Sequence, residues 1–330
     1  MKVLVTGGAG YIGAHIVLDL INADHEVVIL DDMSRGAEEN IHTQAQFILG
    51  STLDENKVKE VLSGGVEAVV HLAAFKAAGE SMIDPEKYST NNISGTLCLL
   101  NAMAATEVKT IVFSSTAAVY GYPEYLPMDE DHPTEPINFY GYTKLAIEQY
   151  LQWYGQLKGI KFAALRYFNA AGYDGDSRVL GLEKNPANLL PIVMEVASEQ
   201  KQRFELFGDD YKTPDGTGIR DYIHVTDLAS AHLLALDYLQ SHHCLTVNLA
   251  AGKCHSVLDV VKMAKTVTNR DIPYKVVDRR PGDPAELVAT SKFAQETLGW
   301  KPKHSTLEEI LLSMWKVYQH HFVKEPEVLA

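Results

Sequence analysis

The opening of this 330-residue chain limits its fold more than any other feature. A short apolar run, Val3 to Val5, passes into Thr6-Gly7-Gly8-Ala9-Gly10-Tyr11-Ile12-Gly13 and then into a segment of helical apolar period. Gly7, Gly10 and Gly13 recur at every third position, so strand, tight turn and helix start follow one another directly. Glycines placed this way let backbone approach a pyrophosphate, while free N–H groups and the dipole at the helix N-terminus attract its charge. A bare glycine turn would look the same. Two features favour a dinucleotide: the loop follows the first strand, and Asp31, eighteen positions after Gly13, follows the second. A carboxylate there accepts hydrogen bonds from ribose hydroxyls and repels a 2′-phosphate, which predicts NAD over NADP, although Arg35 close by softens the repulsion. The plainer reading of Asp31 and Asp32 is a solvated turn.

The rest of the chain extends the pattern. Val27 to Leu30, Phe47 to Leu49, Ala68 to Val70, Thr110 to Phe113 and Phe162 to Leu165 read with the first run as buried strands separated by helical segments. Such alternation predicts an α/β fold, a doubly wound parallel sheet of the Rossmann kind covered on both faces. After Arg166 the rhythm changes to a stretch rich in Gly, Asp and Asn (169–188), which predicts a smaller C-terminal α/β substrate domain. The expected division is 1–168 for the dinucleotide-binding domain and 169–330 mainly for the second region. A return to the first near 219–240 is expected because Arg220 to Leu236 resumes the strand-then-helix period. A hydrophobic content of 46% supports a core of this size. The net charge of −14 argues against nucleic-acid and anionic membrane surfaces, so a phosphate-bearing substrate must meet local cations. Cys98, Cys244 and Cys254 show no metal-ligand spacing and suit free thiols in a reducing compartment, so no metal is expected. With no apolar run near the ~20 residues of a membrane span, and no stretch resembling a leader before the glycines, a cytoplasmic protein is expected.

Tyr140 and Lys144 in Tyr140-Gly141-Tyr142-Thr143-Lys144 fall one helical turn apart on one face. A phenol is a poor base at neutral pH, and a neighbouring ammonium favours its phenolate. The spacing alone is close to chance, since Tyr154 and Lys158 repeat it. Position separates them: the helix after the strand ending near Phe113 starts at the carboxyl edge of the sheet, where open α/β folds bind ligands. Tyr154 lies fourteen residues on, about 21 Å along the axis at ~1.5 Å per residue. Ser114, Ser115 and Thr116 all offer a hydroxyl at the end of that strand, and the residues alone do not choose among them.

These segments, with VLVTGGAGYIG, HLAAFKAAGES from His71, NNISGT from Asn91, VFSSTAAVYG from Val112, RYFNAAG from Arg166, DGTGIRDYIHV from Asp215 and RRPGD from Arg279, extend over nearly the whole chain. The sequence resembles the extended short-chain dehydrogenase/reductase family and, within it, the UDP-glucose (UDP-galactose) 4-epimerases. The resemblance implies Tyr140, Lys144 and Thr116 as the catalytic set. It implies a cofactor site of Gly7, Gly10, Tyr11, Ile12, Gly13, Asp31, Asp32, Met33, Ser34, Ser51, Thr52, Leu72, Ala73, Ala74, Lys76, Asn91 and Phe168 together with that set. For the nucleotide sugar it implies Asn169, Asn188, Leu189, Phe207, Arg220, Tyr222, Arg280, Asp283 and Leu287, with Thr116 and Tyr140. Forked guanidinium groups suit a diphosphate in an otherwise acidic protein, the alternative being ion pairs of Arg220 and Arg280 with Asp221 or Asp283. The three asparagines could equally be loop caps.

Three departures stand out. Threonine replaces the family's usual serine at position 116. Gly50-Ser51-Thr52 stands where an aspartate commonly meets adenine. Leu287 occupies a place where a bulky tyrosine in relatives excludes 2-N-acetyl groups. The implied activity is interconversion of UDP-galactose and UDP-glucose through a 4-keto sugar and bound NADH, extended by the smaller Leu287 to the N-acetylhexosamine pair, in a homodimer. The rivals are another nucleotide-sugar epimerase or decarboxylase, or a non-catalytic NAD-binding regulator. Dehydration is disfavoured because Thr116 is followed by Ala117 and Ala118, which move no protons.

Overall fold

The computed structural model describes residues 1–280 and 282–322; Pro281 of the RRPGD segment and 323–330 at the end of the expected second region lie outside the described residues. Thirteen strands are described: β1 Lys2–Thr6, β2 Glu26–Asp31, β3 Gln46–Leu49, β4 Ala68–His71, β5 Thr110–Thr116, β6 Lys161–Tyr167, β7 Asn169–Ala171, β8 Phe204–Phe207, β9 Ile219–His224, β10 Cys244–Leu249, β11 Cys254–Ser256, β12 Tyr274–Val277 and β13 Glu286–Leu287.

Seven of them form one parallel sheet in the order β10-β6-β5-β4-β1-β2-β3. Val, Ile, Leu and Ala on both faces of β1, β2 and β4 are buried, as expected where helices cover both sides. One core layer packs helix Tyr11–Asn22 and helix Val225–Ser241 on the sheet, and the other packs helices Glu55–Ser63, Gly95–Thr106 and Phe139–Lys158. The six runs expected as strands fall within β1 to β6. Phe47 to Leu49 is not buried, however: β3 is the edge strand, and Leu49 is 61% exposed.

Chain direction across the sheet reverses between β1 and β4, so the loops after these strands splay apart and leave a crevice at their carboxyl ends. Beyond β6 a second core gathers helices Leu189–Ala197, Val257–Thr268 and Leu307–Phe322 around a small sheet in which β7, β11 and β13 all pair with β9. Within the stretch 219–240 the chain divides between the two cores. β9 belongs to the small sheet, whereas helix Val225–Ser241 packs on the first core and β10 becomes its seventh strand. Cys244-Leu245-Thr246-Val247-Asn248-Leu249 alternates too weakly to be noticed as a buried strand in the sequence.

Candidate active site

The glycine loop is shaped by close contacts. Gly7 has φ of +74°, and a Cβ on it would stand 2.8 Å from the Ala73 amide nitrogen. At Gly13 a Cβ would stand 2.2 Å from the Gly7 carbonyl oxygen. Both positions therefore need glycine if the loop is to lie flat under the start of helix Tyr11–Asn22, whose cap is Gly10. The crevice above it is lined by Gly7, Gly10, Asp31, Asp32, Ser34, Ser51, Thr52, Leu72, Ala73, Ala74 and Asn91 from the expected set. Arg35, Gly36, Gly50 and Phe75 also line it. Phe75 lay within the quoted HLAAFKAAGES segment, so a signal for it existed.

Asp31 ends β2 with its carboxylate accepting from Ala9 N at 3.0 Å and Met33 N at 2.9 Å, which fixes its direction. Met33 takes a left-handed φ of 61° to close that turn. Burial raises the Asp31 carboxyl above its ordinary range, and the two amide bonds work against it. Ser51 Oγ accepts from Leu53 N at 3.2 Å, so part of the neutral contact expected of it is taken locally. Asn91 lies in a single π-helical turn, Ser89–Ser94, a local widening of the helix of a kind frequent at functional sites. Beside it the buried Asn92 holds both the amide and the carbonyl of Phe75, an anchoring role unassigned from sequence although NNISGT contains it.

Tyr11, Ile12, Gly13, Met33, Lys76 and Phe168 flank the crevice and do not line it. Tyr11 donates its hydroxyl to the Gly172 carbonyl, tying the two lobes together. Lys76 pairs with Glu183 at 2.9 Å, and Lys184 donates to the Gly36 carbonyl at 2.7 Å, so a segment of the second lobe is fastened across the crevice mouth.

Helix Phe139–Lys158 runs from β5 to β6, with Asn138 capping Gly141 N at 2.8 Å. A Cβ on Gly141 would stand 2.3 Å from the Ala118 carbonyl oxygen, so the Tyr-Gly pair lets the helix start press against the turn after β5. That contact brings Tyr140 to Thr116. The Thr116 hydroxyl oxygen accepts from Ala118 N at 3.2 Å, and the hydroxyl lies close enough to the Tyr140 phenol to favour its ionised form. Ser115, one of the other two hydroxyls, is turned to the opposite face of the strand and donates to Glu148. Tyr154 sits near the far end of the helix, where its hydroxyl donates to Asn101 at 2.6 Å.

The charges differ from the sequence expectation. There, the ammonium of Lys144 lowers the phenol. In the structure burial dominates both groups: Tyr140 is pushed up to about 12, with the Thr116 hydrogen bond acting the other way. Lys144 is brought down to about 7. Its Nζ donates to the Ser114 carbonyl at 2.7 Å and lies 4.7 Å from the Phe113 ring centroid. Taking either group from water disfavours its charged form, and the carbonyl only partly replaces the lost hydration.

The expected sugar-nucleotide residues converge from several elements. In the small sheet Asn169 pairs in register with Tyr222 and Leu287 with Arg220. Arg220 and Tyr222, two apart on β9, point to one face. Leu287 packs in a cluster with Phe168 and Ala117, next to Thr116, which joins this face to the catalytic end of β5. Arg220 is engaged as the alternative reading allowed: it pairs with Asp283 and donates to the carbonyls of Ile219 at 2.8 Å and Pro284 at 2.8 Å. Asp221 instead holds the Ala251 and Gly252 amides at 2.7 and 2.8 Å. Arg280 has no such anchor among its described contacts and lies 3.9 Å over the Phe207 ring. Asn169 donates to the Asp221 carbonyl at 2.8 Å, whereas Asn188 caps helix Leu189–Ala197 without a side-chain bond and is exposed.

Comparison with known proteins gives a consistent result. Residues 3–250 match the family described as NAD dependent epimerase/dehydratase. A UDP-glucose 4-epimerase of Halalkalibacterium halodurans is 44% identical over 97% of this chain and 96% of that protein. The crystal structure of UDP-glucose 4-epimerase from Brucella ovis in complex with NAD superposes with a TM-score of 0.94 at 39% identity, covering 96% of this chain and 98% of that one. That of the Bifidobacterium longum enzyme in complex with NAD+ and UDP superposes with a TM-score of 0.91 at 37% identity, covering 97% and 98%.

Proposed function

The chain belongs to the NAD dependent epimerase/dehydratase family, and from that premise we propose that it interconverts UDP-glucose and UDP-galactose at C4, with Tyr140 as the proton-handling group. The observation that carries the assignment of residues is the convergence of Tyr140 and Thr116 at the carboxyl end of β5, the strand paired with β4, whose following residues Leu72 to Ala74 line the glycine crevice.

The crevice fits a dinucleotide on its own terms. A side chain at position 7 would press on the Ala73 amide at the crevice wall, one at position 13 would push the loop off the helix start, and Asp31 is aimed by two backbone bonds at the place where ribose hydroxyls are recognised. NAD, when bound, accepts a hydride from the sugar C4 and returns it, and it brings a positive charge into the site. Gly7 and Gly10 would hold its pyrophosphate at the helix N-terminus, with Gly13 letting the loop pack against the helix start, Asp31 would hold the ribose, and Asn91 with Leu72 to Ala74 would form the wall. Tyr140 takes the proton of the sugar 4-hydroxyl through the Thr116 hydrogen bond and gives it back after the 4-keto sugar has turned over. Since burial holds the phenol near 12, the phenolate forms only when cationic charge gathers beside it. Arg280 and Arg220 grip the diphosphate, Arg220 pre-oriented by Asp283. That grip lets the hexose rotate without release, remote binding energy serving the reacting centre.

Ala117 and Ala118 after Thr116 supply no acid or base for eliminating water, which favours epimerisation over dehydration. Leu287 leaves space beside the sugar, so we infer that the N-acetylated hexosamine pair is also accepted. Tyr142, Trp153 and Leu157 stand exposed on helix Phe139–Lys158, a face suited to a second copy of the chain, and a homodimer follows. Among the described residues no helix is long and apolar enough to cross a membrane, and the three cysteines are unpaired, which suits a cytoplasmic enzyme. Incubation of the purified protein with UDP-galactose should yield UDP-glucose without added reductant; absence of turnover with any UDP-hexose removes the reading.

A further inference from the structure

The link between β7 and helix Leu189–Ala197 carries a set of contacts that neither the glycine cradle nor proton transfer at Tyr140 requires. Its root is fixed. Val179 is 4% exposed and packs with Ala14 and Leu18 of helix Tyr11–Asn22, and the Leu180 carbonyl accepts from His321 Nε2 at 2.8 Å. From there residues 181–184 touch both rims of the crevice.

On the β2 rim the Gly181 amide donates to Asn40 Oδ1 at 2.9 Å. Asn40 is buried and passes the contact on, its Nδ2 donating to the Ala9 carbonyl of the glycine loop at 3.1 Å. The approach is close: a Cβ on Gly181 would stand 2.4 Å from Asn40 Oδ1 and 2.8 Å from Ala37 Cβ. Lys184 Nζ reaches the same rim and donates at 2.7 Å to the carbonyl of Gly36, a residue that lines the crevice. On the β4 rim Glu183 meets Lys76 at 2.9 Å, and Lys76 directly follows the lining residue Phe75.

The sheet order gives these contacts a direction. β2 and β4 stand on either side of β1, and β1 carries the glycine loop. A segment tied to the loops after both neighbours therefore passes above whatever the glycine loop holds. The charges fit an anionic ligand below. In a protein of net charge −14, the Lys184 ammonium is met among the described contacts by a carbonyl and by no carboxylate, and it keeps further donors for a pyrophosphate. Ion pairs as exposed as Glu183–Lys76 add little to fold stability, so its position matters more than its energy.

We propose that residues 181–184 form a cross-piece that retains the dinucleotide: its fastenings to Lys76 on one rim and to Gly36 and Asn40 on the other must open before NAD leaves. Such a part suits a reaction in which the cofactor is reduced and reoxidised in place and must not depart between the two steps. The proposal needs the dinucleotide and not the sugar, so it stands or falls apart from the epimerase reading.

The test follows exchange of the NAD bound to full-length protein for isotopically labelled NAD in solution, with no sugar present. Glu183→Gln and Lys184→Met should each speed release about two- to five-fold, as expected for losing one partly exposed charged contact. The sign is diagnostic. Were Glu183 merely a charge beside the ligand, its removal would free Lys76 for the pyrophosphate and slow release. Lys76→Gln/Glu183→Gln should release NAD no faster than Lys76→Gln alone, because the fastening is already lost. Gly181→Ala, which forces the cross-piece off Asn40, should speed release on the order of 10-fold. Lys201→Gln, which breaks a similarly exposed pair with Glu195 in the second lobe, is the control and should release NAD as wild type does. Unchanged or slowed release from Glu183→Gln, or equal acceleration in Lys201→Gln, would overturn the proposal. Should Gly181→Ala not fold, the two charge variants decide alone. Faster release from those variants in a protein whose wild type is inert toward UDP-galactose would defeat the functional reading and leave the cross-piece standing.

Discussion

Replacing Gly13 by alanine should cost the protein its cofactor before it costs its fold. The added Cβ would stand 2.2 Å from the Gly7 carbonyl oxygen, 2.8 Å from Gly8 Cα and 3.0 Å from the Gly7 carbonyl carbon. All three are backbone atoms of one short loop, so no side chain can swing aside. Ordinary contact begins at 3.4 Å, which means that the helix start and the loop must separate by more than an ångström. Overpacking of this kind destabilises by about 1–3 kcal/mol. The larger effect falls on the pyrophosphate, because misplacing binding groups by about 1 Å costs on the order of 10²-fold. NAD released from purified protein on denaturation should drop from near stoichiometric in wild type to a small fraction in Gly13→Ala, with a reduced Tm restored in part by excess NAD. Gly175→Ala, where a Cβ meets nothing within 4 Å, is the control and should change neither. A Gly13→Ala protein that kept full NAD and an unaltered Tm would refute the close-approach argument and with it the placement of the dinucleotide.

Tyr140→Phe removes the hydroxyl but not the ring, so NAD content should persist while turnover of UDP-galactose falls about 10²–10⁴-fold, the usual worth of a positioned acid–base group; near-normal turnover would exclude Tyr140 as the base. Leu287→Tyr should lower turnover of UDP-N-acetylgalactosamine relative to UDP-galactose, and an unchanged ratio in paired assays would remove Leu287 from the sugar pocket. Stability should fall in mild acid. His15 and His232 are held at about 4 and His71 and His224 at about 3 by burial, against an ordinary 6.5, so each stabilises the fold fully above about 6.5 and loses that contribution as pH falls toward its folded value. Each can add up to about 1.4 kcal/mol per pH unit to the slope. Asp19 and Asp221, raised to about 6, act oppositely below that pH and offset part of it. Urea midpoints should therefore drop steeply just below 6.5 and less steeply below 6, and a flat profile through that range would contradict the buried neutral state.

Local signals were legible where one residue type answers one physical need. The six strands came from apolar runs, and the glycine loop was readable because only glycine tolerates the Gly7 turn and the Gly13 contact. The choice of Tyr140 over Tyr154 needed only the direction of a helix leaving the sheet. What the sequence could not reveal depended on distance along the chain. β10 reads as an unremarkable stretch until it is laid against β6, and β9 looks like a strand of the first sheet until β7, β11 and β13 surround it. Burial also reversed the electrostatic expectation: the Tyr140–Lys144 spacing suggests mutual stabilisation, but desolvation, which has no sequence signature, dominates both groups. Asn92 and Glu148 stayed hidden for the same reason, since neither spacing nor type marks a polar side chain as buried.

The late arrival of β10 bears on how the protein can be made. The first sheet is complete only when Cys244–Leu249 pairs with β6, and that segment leaves the ribosome after β7, β8 and β9 of the other lobe. Until then β6 presents a bare edge, and the face later covered by helix Val225–Ser241 is open apolar surface, the kind of surface that recruits other chains. A gene fragment ending near residue 168 should accordingly give aggregates and no half-enzyme that binds NAD, and a shielded nascent chain should be needed for most of synthesis before the crevice can close on its first dinucleotide.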